Sequence, residues 1–295
     1  MLNRMIGLHI YLRDYLIRSY CVINKQSILI TGCTHGGIGY ATAKRLRMLG
    51  HTVFASAKRK EVVEYLIDEG FDTYLLDVRD YNQVQEVLDD IVRKTGGSLD
   101  VLFNNAGYSQ AGALEDVPTQ YLKENFETNV FGLHNLTRQV LKIMRKQGYG
   151  KVIQHGSVLG LAPLKYRGSY NASKYAVEGI ADSMRLELQG TSIYMSTLNT
   201  GPITSRIREN SIKHTARNIV IEGSAHKEHY NKMKTSGQKA IPFHEDAESV
   251  VRVVEKILNT AKPSPRYHIT KFTWILITLK RLLPTILLDK FLGRF

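Results

Sequence analysis

The sequence of 295 residues predicts a single α/β domain built on one doubly wound parallel sheet with helices on both faces. Short apolar segments of strand length alternate with helical segments from residue 26 to about residue 267. Several of the strand segments are apolar on both faces, which is typical of parallel strands covered by helices. A glycine-rich turn also joins the first strand directly to the first helix. We therefore expect one domain over residues 26–269.

Six strands and five helices are predicted in this domain. The strands cover residues 27–31, 52–57, 73–76, 99–103, 151–154 and 192–198, and the helices cover residues 38–49, 59–69, 81–95, 118–147 and 170–189. Residues 206–244, which follow the sixth strand, are polar and weakly periodic. A long segment in that place is more often a binding lid than a linker, so we predict a substrate lid there.

Charge and cysteine content exclude several classes of protein. The formal net charge is +13, and most of the excess lies at the two ends of the chain. A nucleic-acid-binding core would carry the excess itself, so we expect no nucleic-acid partner. The two cysteines, Cys21 and Cys33, cannot form a disulfide framework, which favours a cytoplasmic protein. The ten histidines are scattered without zinc-ligand spacing, and no metal site is predicted.

The first strand is followed by a glycine-rich turn, Thr-Gly-Cys-Thr-His-Gly-Gly-Ile-Gly over residues 31–39. Glycines allow the backbone to turn tightly and to approach a pyrophosphate, whose charge is stabilised at a helix N-terminus. Because strand, turn and helix occur in the required order, the pattern favours a dinucleotide site over an ordinary structural turn.

Two further groups of residues follow the fourth and fifth strands. The sequence Asn-Asn-Ala-Gly at residues 104–107 comes directly after the fourth strand, where asparagine side chains can hydrogen-bond to neighbouring strands. Ser157 lies beyond the fifth strand, and Tyr170 and Lys174 are four residues apart, hence on one face of a helix. The lysine ammonium would favour the phenolate and lower the pKa of Tyr170 toward neutrality. An ordinary turn and a chance pairing are the alternatives.

These motifs resemble those of the short-chain dehydrogenase/reductase family. In family order the sequence contains the glycine turn, Asp77, Asn-Asn-Ala-Gly, Asn129, Ser157, Tyr-Asn-Ala-Ser-Lys at 170–174 and Gly201-Pro202, over residues 26–269. Within the family, the sequence is similar to the branch that contains hydroxysteroid and retinol dehydrogenases and acyl-dihydroxyacetone-phosphate reductases. Its C-terminal segment is similar to that of bacterial NADP-dependent aldehyde reductases in that branch. The resemblance implies a Rossmann fold.

The resemblance also implies roles for individual residues. Tyr170 would be the general acid in carbonyl reduction, Lys174 would lower its pKa and bind the nicotinamide ribose, and Ser157 would hydrogen-bond the carbonyl. Asn129 would anchor a water molecule that relays protons to Lys174. The expected cofactor contacts are Gly32, Gly37, Ile38 and Gly39 at the phosphates, Asp77 at the adenine, Asn104 and Gly107 beside the adenosine, and Gly201, Ile203 and Ser205 at the carboxamide, together with Tyr170 and Lys174.

The sequence departs from the family pattern in four places. The glycine turn is one residue longer than the commonest spacing, Gly156 replaces a serine, Thr200 replaces a proline, and Ser205 stands where a threonine is usual. None of these changes removes a catalytic group, so they bear on loop geometry rather than on chemistry.

Charge after the second strand predicts the cofactor. An acidic residue at this place would bind the 2′-hydroxyl of NAD and would repel the 2′-phosphate of NADP. Here Lys58, Arg59 and Lys60 follow the strand, and no acid occurs before Glu61. The three bases favour NADP, used as NADPH, with Lys58 as the proposed contact. A solvated basic turn is the alternative.

Two extensions flank the predicted domain. Residues 1–25 are predicted to form a basic amphipathic extension. A targeting segment is one interpretation, although the apolar run and cleavage site typical of a secretory signal are not found in it. Residues 270–295 form a second basic amphipathic extension, whose helical segment 270–283 is too short to span a membrane. It is predicted either to pack on the domain or to lie in a membrane interface with Trp274 and its flanking bases. Peripheral membrane contact would suit an apolar substrate.

The sequence therefore predicts an NADPH-dependent reductase that converts an aldehyde or ketone on an apolar, lipid-like molecule to the alcohol. An NAD(P)-dependent hydroxysteroid or retinol dehydrogenase is the alternative within the same class of enzyme. A nucleotide-binding membrane scaffold without turnover is the alternative from another class, and the intact Ser157, Tyr170 and Lys174 argue against it. The family resemblance implies a homo-oligomer.

Overall fold

The structure, a computed structural model, describes residues 25–235 and 244–294. Its strands are β1 (Ser27–Ile30), β2 (Thr52–Ala57), β3 (Asp72–Leu75), β4 (Val101–Asn104), β5 (Tyr149–His155), β6 (Ser192–Thr200) and β7 (Arg266–Ile269). Within the described residues these seven strands form one sheet in the order β3-β2-β1-β4-β5-β6-β7, and every pairing is parallel. Because β1 lies between β2 and β4, the strand order reverses at β1, which is the topological switch point of the sheet.

The helices lie on both faces of the sheet. They are α1 (Ile38–Met48), α2 (Lys60–Asp68), α3 (Tyr81–Lys94), α4 (Thr119–Phe126), α5 (Leu133–Gln147), α6 (Gly168–Glu187), α7 (Ile207–Asn218), α8 (Lys227–Thr235), α9 (Ala247–Asn259), α10 (Lys271–Leu282) and α11 (Thr285–Leu292). Helices α1, α2 and α9 bury their apolar faces on one side, and α3, α5 and α6 do so on the other. The predicted doubly wound fold is confirmed.

Strand β1 shows why the sequence of a central strand is apolar throughout. Ile28 and Ile30 pack into the apolar cluster under α1, α2 and α9, whereas Leu29 packs into the cluster under α3 and α5. All three side chains are completely buried. Each such side chain contributes roughly 1.5–3 kcal/mol through removal of its apolar surface from water, so alternation in hydrophobicity is absent from this strand.

Outside the predicted lid and the C-terminal extension, two elements were missed by the sequence prediction. Helix α9 buries Val250, Val254 and Ile257, a spacing of four and three residues that is typical of an amphipathic helix and was present in the sequence. Strand β7 has the sequence Arg-Tyr-His-Ile and, among the residues that the structure describes, pairs only with β6. As a short edge strand it carries little apolar signal, because only its last residue is buried.

The predicted helix 118–147 consists of three parts. Helix α4 leads into a π-helical segment, Glu127–Gly132, which leads directly into α5. Gly132 lies so close to Val78 that a Cβ atom there would be 2.8 Å from the Val78 carbonyl oxygen. Such π-helical turns occur often at functional sites, and this one contains Asn129.

The predicted C-terminal extension forms α10 and α11, which pack on the domain. Phe272, Leu276, Leu288 and Leu292 are buried in one apolar cluster together with Val158 and Ala162 from the segment after β5. The packing alternative is therefore observed for one face of the extension, while Trp274 and Ile275 remain exposed. In the part of the chain that the structure describes, no helix has the length and apolar character needed to cross a membrane.

Two predicted segments extend beyond the described residues. The N-terminal extension 1–25 lies outside them except for Lys25. The predicted lid 206–244 contains α7 and α8, and residues 236–243 also lie outside. Helices α7 and α8 contact the domain through an apolar cluster in which Val117, Ile219 and Tyr230 are buried.

Candidate active site

The predicted site residues follow the carboxyl ends of neighbouring strands. The glycine turn follows β1, the Asn-Asn-Ala-Gly motif begins at the end of β4, Ser157 follows β5 and Gly201 follows β6. Carboxyl ends of parallel strands meet at one edge of a sheet, and ligands of doubly wound folds bind there at the switch point. The structure thus brings these four groups to one edge.

The glycine turn is shaped for a close backbone approach to an anion. Gly32 has φ +74°, and a Cβ atom on it would lie 2.9 Å from Cα of Ala106. A Cβ atom on Gly39 would lie 2.5 Å from Nδ2 of Asn105. Helix α1 begins at Ile38 after Gly37, and no side chain caps its N-terminus. Its first amides can therefore bind a pyrophosphate, and the residues fit a dinucleotide.

The Asn-Asn-Ala-Gly segment forms the next wall of the site. Asn104 donates from Nδ2 to Thr137 Oγ1 at 2.8 Å and to Gln154 Oε1 at 3.0 Å, which ties β4 to β5 and α5. Gly107 lies against Asn129, since a Cβ atom on Gly107 would be 3.0 Å from Asn129 Oδ1. The predicted link between neighbouring strands is present in this geometry.

Asp77 follows the end of β3 and Lys58 follows the end of β2. The two side chains lie close enough for their charges to interact. The Asp77 carboxylate accepts hydrogen bonds from Arg79, with Nη2 at 2.6 Å. Burial raises the pKa of Asp77, but the hydrogen bonds and charge of Arg79, aided by Lys58, outweigh it and lower the pKa overall. Lys58, Arg59 and Lys60 are all exposed, so each is accessible to a ligand phosphate.

Ser157, Tyr170 and Lys174 are buried together. Tyr170 and Lys174 lie one turn apart on α6, and the Ser157 side chain hydrogen-bonds with that of Tyr170. Lys174 Nζ lies 5.6 Å from the centroid of the Tyr170 ring and donates to the carbonyl oxygen of His155 at 2.5 Å. Ser157 Oγ also accepts from the amide of Leu159 at 3.1 Å, which fixes the start of the turn after β5.

The pKa of Tyr170 is shifted in the direction opposite to the predicted one. Burial raises the pKa of Tyr170 to about 12, opposed by the hydrogen bond with Ser157 and by the charge of Arg167. Burial also lowers the pKa of Lys174 to about 8, opposed by the Glu178 carboxylate. Desolvation therefore dominates, and the pKa of Tyr170 lies well above neutral pH.

Asn129 is held in the π-helical segment by hydrogen bonds on both ends of its amide. Its Nδ2 donates to the Tyr108 carbonyl at 2.9 Å and to Ser173 Oγ at 3.0 Å, and its Oδ1 accepts from the Tyr108 amide at 3.0 Å. Ser173 precedes Lys174 on α6, so Asn129 connects the Asn-Asn-Ala-Gly wall to the helix that carries the lysine.

The segment after β6 is positioned by the C-terminal extension. The Gly201 amide donates to the Ile269 carbonyl at the end of β7, at 3.1 Å. A Cβ atom on Gly201 would collide with the Thr270 hydroxyl and lie 2.9 Å from that of Thr273, so only glycine fits. Ile203 forms a β-bridge with Glu245, and Ser205 is partly buried two residues further on.

Two departures from the family pattern have structural reasons. A Cβ atom on Gly156 would lie 2.7 Å from Glu178 Oε1, so the Glu178 carboxylate fills the space that a serine side chain would need. Thr200 lies with its hydroxyl 3.3 Å from Nε2 of His155, a contact that proline cannot make. His155 is only partly exposed at the end of β5, and desolvation together with the charge of Lys174 lowers its pKa to about 3, so the imidazole is neutral.

Four residues near the site were not predicted from the sequence. They are His155 and Glu178 behind Lys174, Arg167 before α6, and Arg206 at the start of the predicted lid. Glu178 had a signal, because it lies four residues after Lys174 on the same helix face. Arg206 is close to the glycine turn, where a Cβ atom on Gly36 would be 3.9 Å from its Nε. No spacing in the sequence indicated that proximity.

A family model described as short chain dehydrogenase matches residues 26–216. The chain belongs to the short-chain dehydrogenase/reductase family. The uncharacterized oxidoreductase YbbO of Escherichia coli (strain K12) is 33% identical over 270 residues, which cover 92% of this chain and 95% of that relative. The NADPH-dependent 1-acyldihydroxyacetone phosphate reductase of Schizosaccharomyces pombe is 28% identical over 212 residues, 67% of this chain and 71% of that relative.

Solved members of the family share the fold. A short-chain dehydrogenase from Streptomyces avermitilis superimposes with a TM-score of 0.75 at 24% identity, over 92% of this chain and 98% of that chain. As a member of this family with oxidoreductases among its relatives, the protein is an NAD(P)-dependent oxidoreductase that acts on a small molecule.

Proposed function

We propose that the protein reduces an aldehyde or ketone on an apolar, lipid-like molecule to the alcohol, with NADPH as the reductant. The observation that carries the proposal is the buried group of Ser157, Tyr170 and Lys174, which follows β5 at the same edge of the sheet as the glycine turn. A family relative is named as an NADPH-dependent reductase of an acylated dihydroxyacetone phosphate, which supports both the cofactor and the lipid-like substrate.

In this mechanism, Tyr170 gives its phenolic proton to the carbonyl oxygen. Because its pKa is raised to about 12, the phenol is protonated at neutral pH and can act as a general acid. Ser157 donates a hydrogen bond to the same oxygen and so stabilises the negative charge that develops there. The bound nicotinamide supplies the hydride that forms the new carbon–hydrogen bond.

Lys174 places a positive charge near the proposed general acid, with its Nζ 5.6 Å from the centroid of the Tyr170 ring. Its Nζ is held on the His155 carbonyl, and its remaining donors are available for the nicotinamide ribose. We propose that Asn129, in the π-helical segment, anchors the water molecule through which protons return to Lys174. Both roles are the ones that the family resemblance implies for these residues.

The proposed cofactor contacts follow the strand ends. Gly32, Gly37, Ile38 and Gly39 would hold the phosphates at the N-terminus of α1. Asp77, Asn104 and Gly107 would border the adenosine, and Gly201, Ile203 and Ser205 would hold the carboxamide. We further propose that Lys58 selects NADPH, since it lies exposed at the carboxyl end of β2, where the 2′-phosphate of NADP is expected.

The test is a comparison of NADPH and NADH consumption with a panel of long-chain aldehydes and ketones. We expect NADPH-dependent reduction. Faster oxidation of a sterol or retinol with NAD would favour the hydroxysteroid or retinol dehydrogenase alternative. Absence of turnover in a folded protein that binds the dinucleotide would favour a non-catalytic scaffold and would overturn the proposed reaction.

We also propose that this is a cytoplasmic homo-oligomer that contacts membranes peripherally through its C-terminal extension. The exposed side of α10 and α11 presents Trp274, Ile275, Leu282, Ile286 and Leu287. Exposed basic residues at positions 271, 281 and 290 accompany them. An apolar face with flanking bases is complementary to an anionic lipid surface, where the proposed substrate would be dissolved.

A further inference from the structure

A histidine connects three of the segments that border the site. His155 is the last residue of β5, two residues before Ser157. Its Nδ1 lies 2.9 Å from Asn105 Oδ1 in the segment after β4, and its Nε2 lies 3.3 Å from Thr200 Oγ1 at the end of β6. Its carbonyl oxygen accepts from Lys174 Nζ on α6 at 2.5 Å. A single residue therefore contacts groups that follow β4, end β6 and lie on α6.

The side-chain amide of Asn105 has one orientation that satisfies its contacts. Its Nδ2 donates to the carbonyl oxygens of Thr31 and Gly32, at 2.8 and 3.2 Å. Carbonyl oxygens only accept hydrogen bonds, so the amide nitrogen faces the glycine turn and Oδ1 faces His155. The backbone amide of Asn105 also donates to Thr31 Oγ1 at 3.0 Å, which fixes the main chain at the same place. Asn105 thus attaches the glycine turn to the imidazole.

This orientation determines which nitrogen of the imidazole carries the hydrogen. Because Asn105 Oδ1 only accepts, Nδ1 of His155 is the donor. Desolvation and the charge of Lys174 hold the pKa of His155 at about 3, so the ring is neutral and its Nε2 accepts. The Thr200 hydroxyl supplies the donor to Nε2, and a proline at this position would have none. The ring also stacks on Phe103 of β4, with 5.8 Å between centroids.

The two hydrogen bonds of the imidazole join the segments that are proposed to hold two separate parts of the cofactor. Asn105 leads to Gly32 in the glycine turn, where the phosphates are proposed to bind. Thr200 directly precedes Gly201, which is proposed to lie at the carboxamide. The distance between the two segments must match the span of the dinucleotide. Because a misplacement of about 1 Å can lower a rate about 100-fold, bonds that fix this distance affect both binding and catalysis.

From this network we infer that His155 is a positioning residue that fixes the glycine turn, the segment after β6 and Lys174 relative to one another. A dinucleotide bound across the two segments then presents its nicotinamide to the site. The inference rests on the proposed NADPH-dependent reduction, and it adds His155, Asn105 and Thr200 to the residues on which that reaction depends. The imidazole acts as a donor at Nδ1 and an acceptor at Nε2, and it keeps its proton throughout.

The state of the imidazole is measurable without turnover. Long-range proton–nitrogen NMR spectra of the nitrogen-labelled protein distinguish a hydrogen on Nδ1 from a hydrogen on Nε2. The signal of His155 is the one that disappears in the spectrum of His155→Gln. We expect a neutral ring with its hydrogen on Nδ1, both with and without NADP⁺. A hydrogen on Nε2, or a ring that titrates near the ordinary histidine pKa of about 6.5, would overturn the inference whatever the activity.

The binding test compares NADP⁺ with 2′,5′-ADP, which carries the adenosine and its 2′-phosphate but no nicotinamide. Thr200→Val keeps the shape of the side chain and removes the donor to Nε2. It should weaken NADP⁺ by about 2- to 10-fold, as expected for loss of one hydrogen bond, and leave the affinity for 2′,5′-ADP unchanged. Thr200→Ser keeps the hydroxyl and should restore the affinity for NADP⁺.

Thr197→Val is the matched control, since Thr197 is a buried threonine on the same strand. It should leave both affinities at their wild-type values. Unchanged NADP⁺ affinity in Thr200→Val, or equal weakening of both ligands, would overturn the inference. If the wild-type protein prefers NAD⁺, the pair NAD⁺ and AMP takes the place of these ligands, so an error in the proposed cofactor does not decide the result.

A double-mutant cycle assigns the kinetic effect to the imidazole. His155→Phe keeps a ring that can stack on Phe103 and removes both nitrogens. It should lower kcat by about 10- to 100-fold, while KM for the carbonyl substrate changes little because the imidazole does not contact the substrate. Thr200→Val should lower kcat in the wild-type background and cause no further loss in His155→Phe, since the bond it removes is already absent there.

The outcomes separate this inference from the proposed reaction. Equal losses of kcat on Thr200→Val in both backgrounds would overturn the positioning role while the reductase activity stands. If the wild-type protein reduces no aldehyde or ketone, the proposed reaction fails, and the NMR and binding measurements still decide the role of His155. The same two measurements decide it if His155→Phe does not fold.

Discussion

At the scale of single residues, the site depends on how burial and charge act on a line of side chains along α6. Tyr170, Lys174 and Glu178 occupy successive turns of one helix face, and all three are buried. Glu178 accepts from Asn199 Nδ2 at 2.6 Å and forms an ion pair with Arg266 at 3.0 Å. A buried lysine loses its proton more readily, and the carboxylate behind it counteracts that loss. The general acid therefore depends on groups it does not touch.

Replacement of Tyr170 by phenylalanine removes the proposed proton donor. We expect kcat for carbonyl reduction to fall by roughly two to four orders of magnitude, while NADPH affinity, measured by fluorescence titration, changes little. Tyr175→Phe makes the same change one turn away, at a tyrosine whose hydroxyl donates to the Leu161 carbonyl, and should keep its activity. Near-normal turnover by a folded Tyr170→Phe protein would contradict the role assigned to the phenol.

The pH profile tests the charge on Lys174. With its pKa lowered to about 8 by burial, Lys174 is protonated below that pH and loses its charge above it, so kcat/KM for reduction should decline as pH rises through about 8. Glu178→Gln removes the carboxylate that opposes this shift, and the decline should begin at lower pH. Asp182→Asn is the control, because Asp182 also pairs with Arg266 but does not act on Lys174. An identical profile in Glu178→Gln and wild type would exclude the positioning role.

Lys58→Glu tests the choice of cofactor. A carboxylate facing the 2′-phosphate would repel NADPH but not NADH, so the ratio of the two affinities should change by roughly tenfold or more, about 1.4 kcal/mol. Lys256→Glu, at an exposed site on α9, makes the same charge change away from β2 and should leave the ratio as it is. Equal weakening of both dinucleotides in Lys58→Glu would show that Lys58 does not contact that phosphate.

At the scale of elements, the sequence predicts what depends on local pattern and misses what depends on distant contacts. Apolar strand segments and the spacing of Tyr170 and Lys174 are local, and the sheet and the helix face follow from them. The break of the long helix at Asn129 is not local, since it accompanies the approach of Gly132 to Val78. The position of Arg167 likewise depends on helix α7, which lies more than forty residues further along the sequence.

Helix α10 links the C-terminal extension to the catalytic segment after β5. Leu276 is completely buried against the turn that begins at Ser157, and Thr273 lies against Gly201. Leu276→Ala should therefore lower the free energy of unfolding by about 2–5 kcal/mol and also reduce kcat. Ile275→Ala, at the exposed neighbouring position, should change stability by less than about 0.5 kcal/mol. Urea denaturation of the two variants measures the difference, and equal effects would contradict the packing of α10.

At the scale of the whole molecule, the C-terminal extension combines a net positive charge with a group of exposed apolar side chains. Deletion of the extension would test membrane contact poorly, because α10 also supports the site. Substitutions on its exposed face avoid that problem, since these side chains are outside the buried cluster. Each base close to an anionic surface contributes about 1 kcal/mol to binding, and this contribution weakens as salt screens it.

The full-length protein should therefore co-sediment with phosphatidylglycerol vesicles and should be partly released by added salt. Trp274→Glu combined with Ile286→Glu, at positions 57% and 72% exposed, should abolish sedimentation without a change in melting temperature. Met48→Glu, 70% exposed at the end of α1, should sediment like the wild type. If the wild-type protein does not sediment and the double variant instead lowers the oligomeric mass measured by light scattering, the face binds a second subunit. Lipid contact would then be excluded, because the same side chains cannot be covered by both.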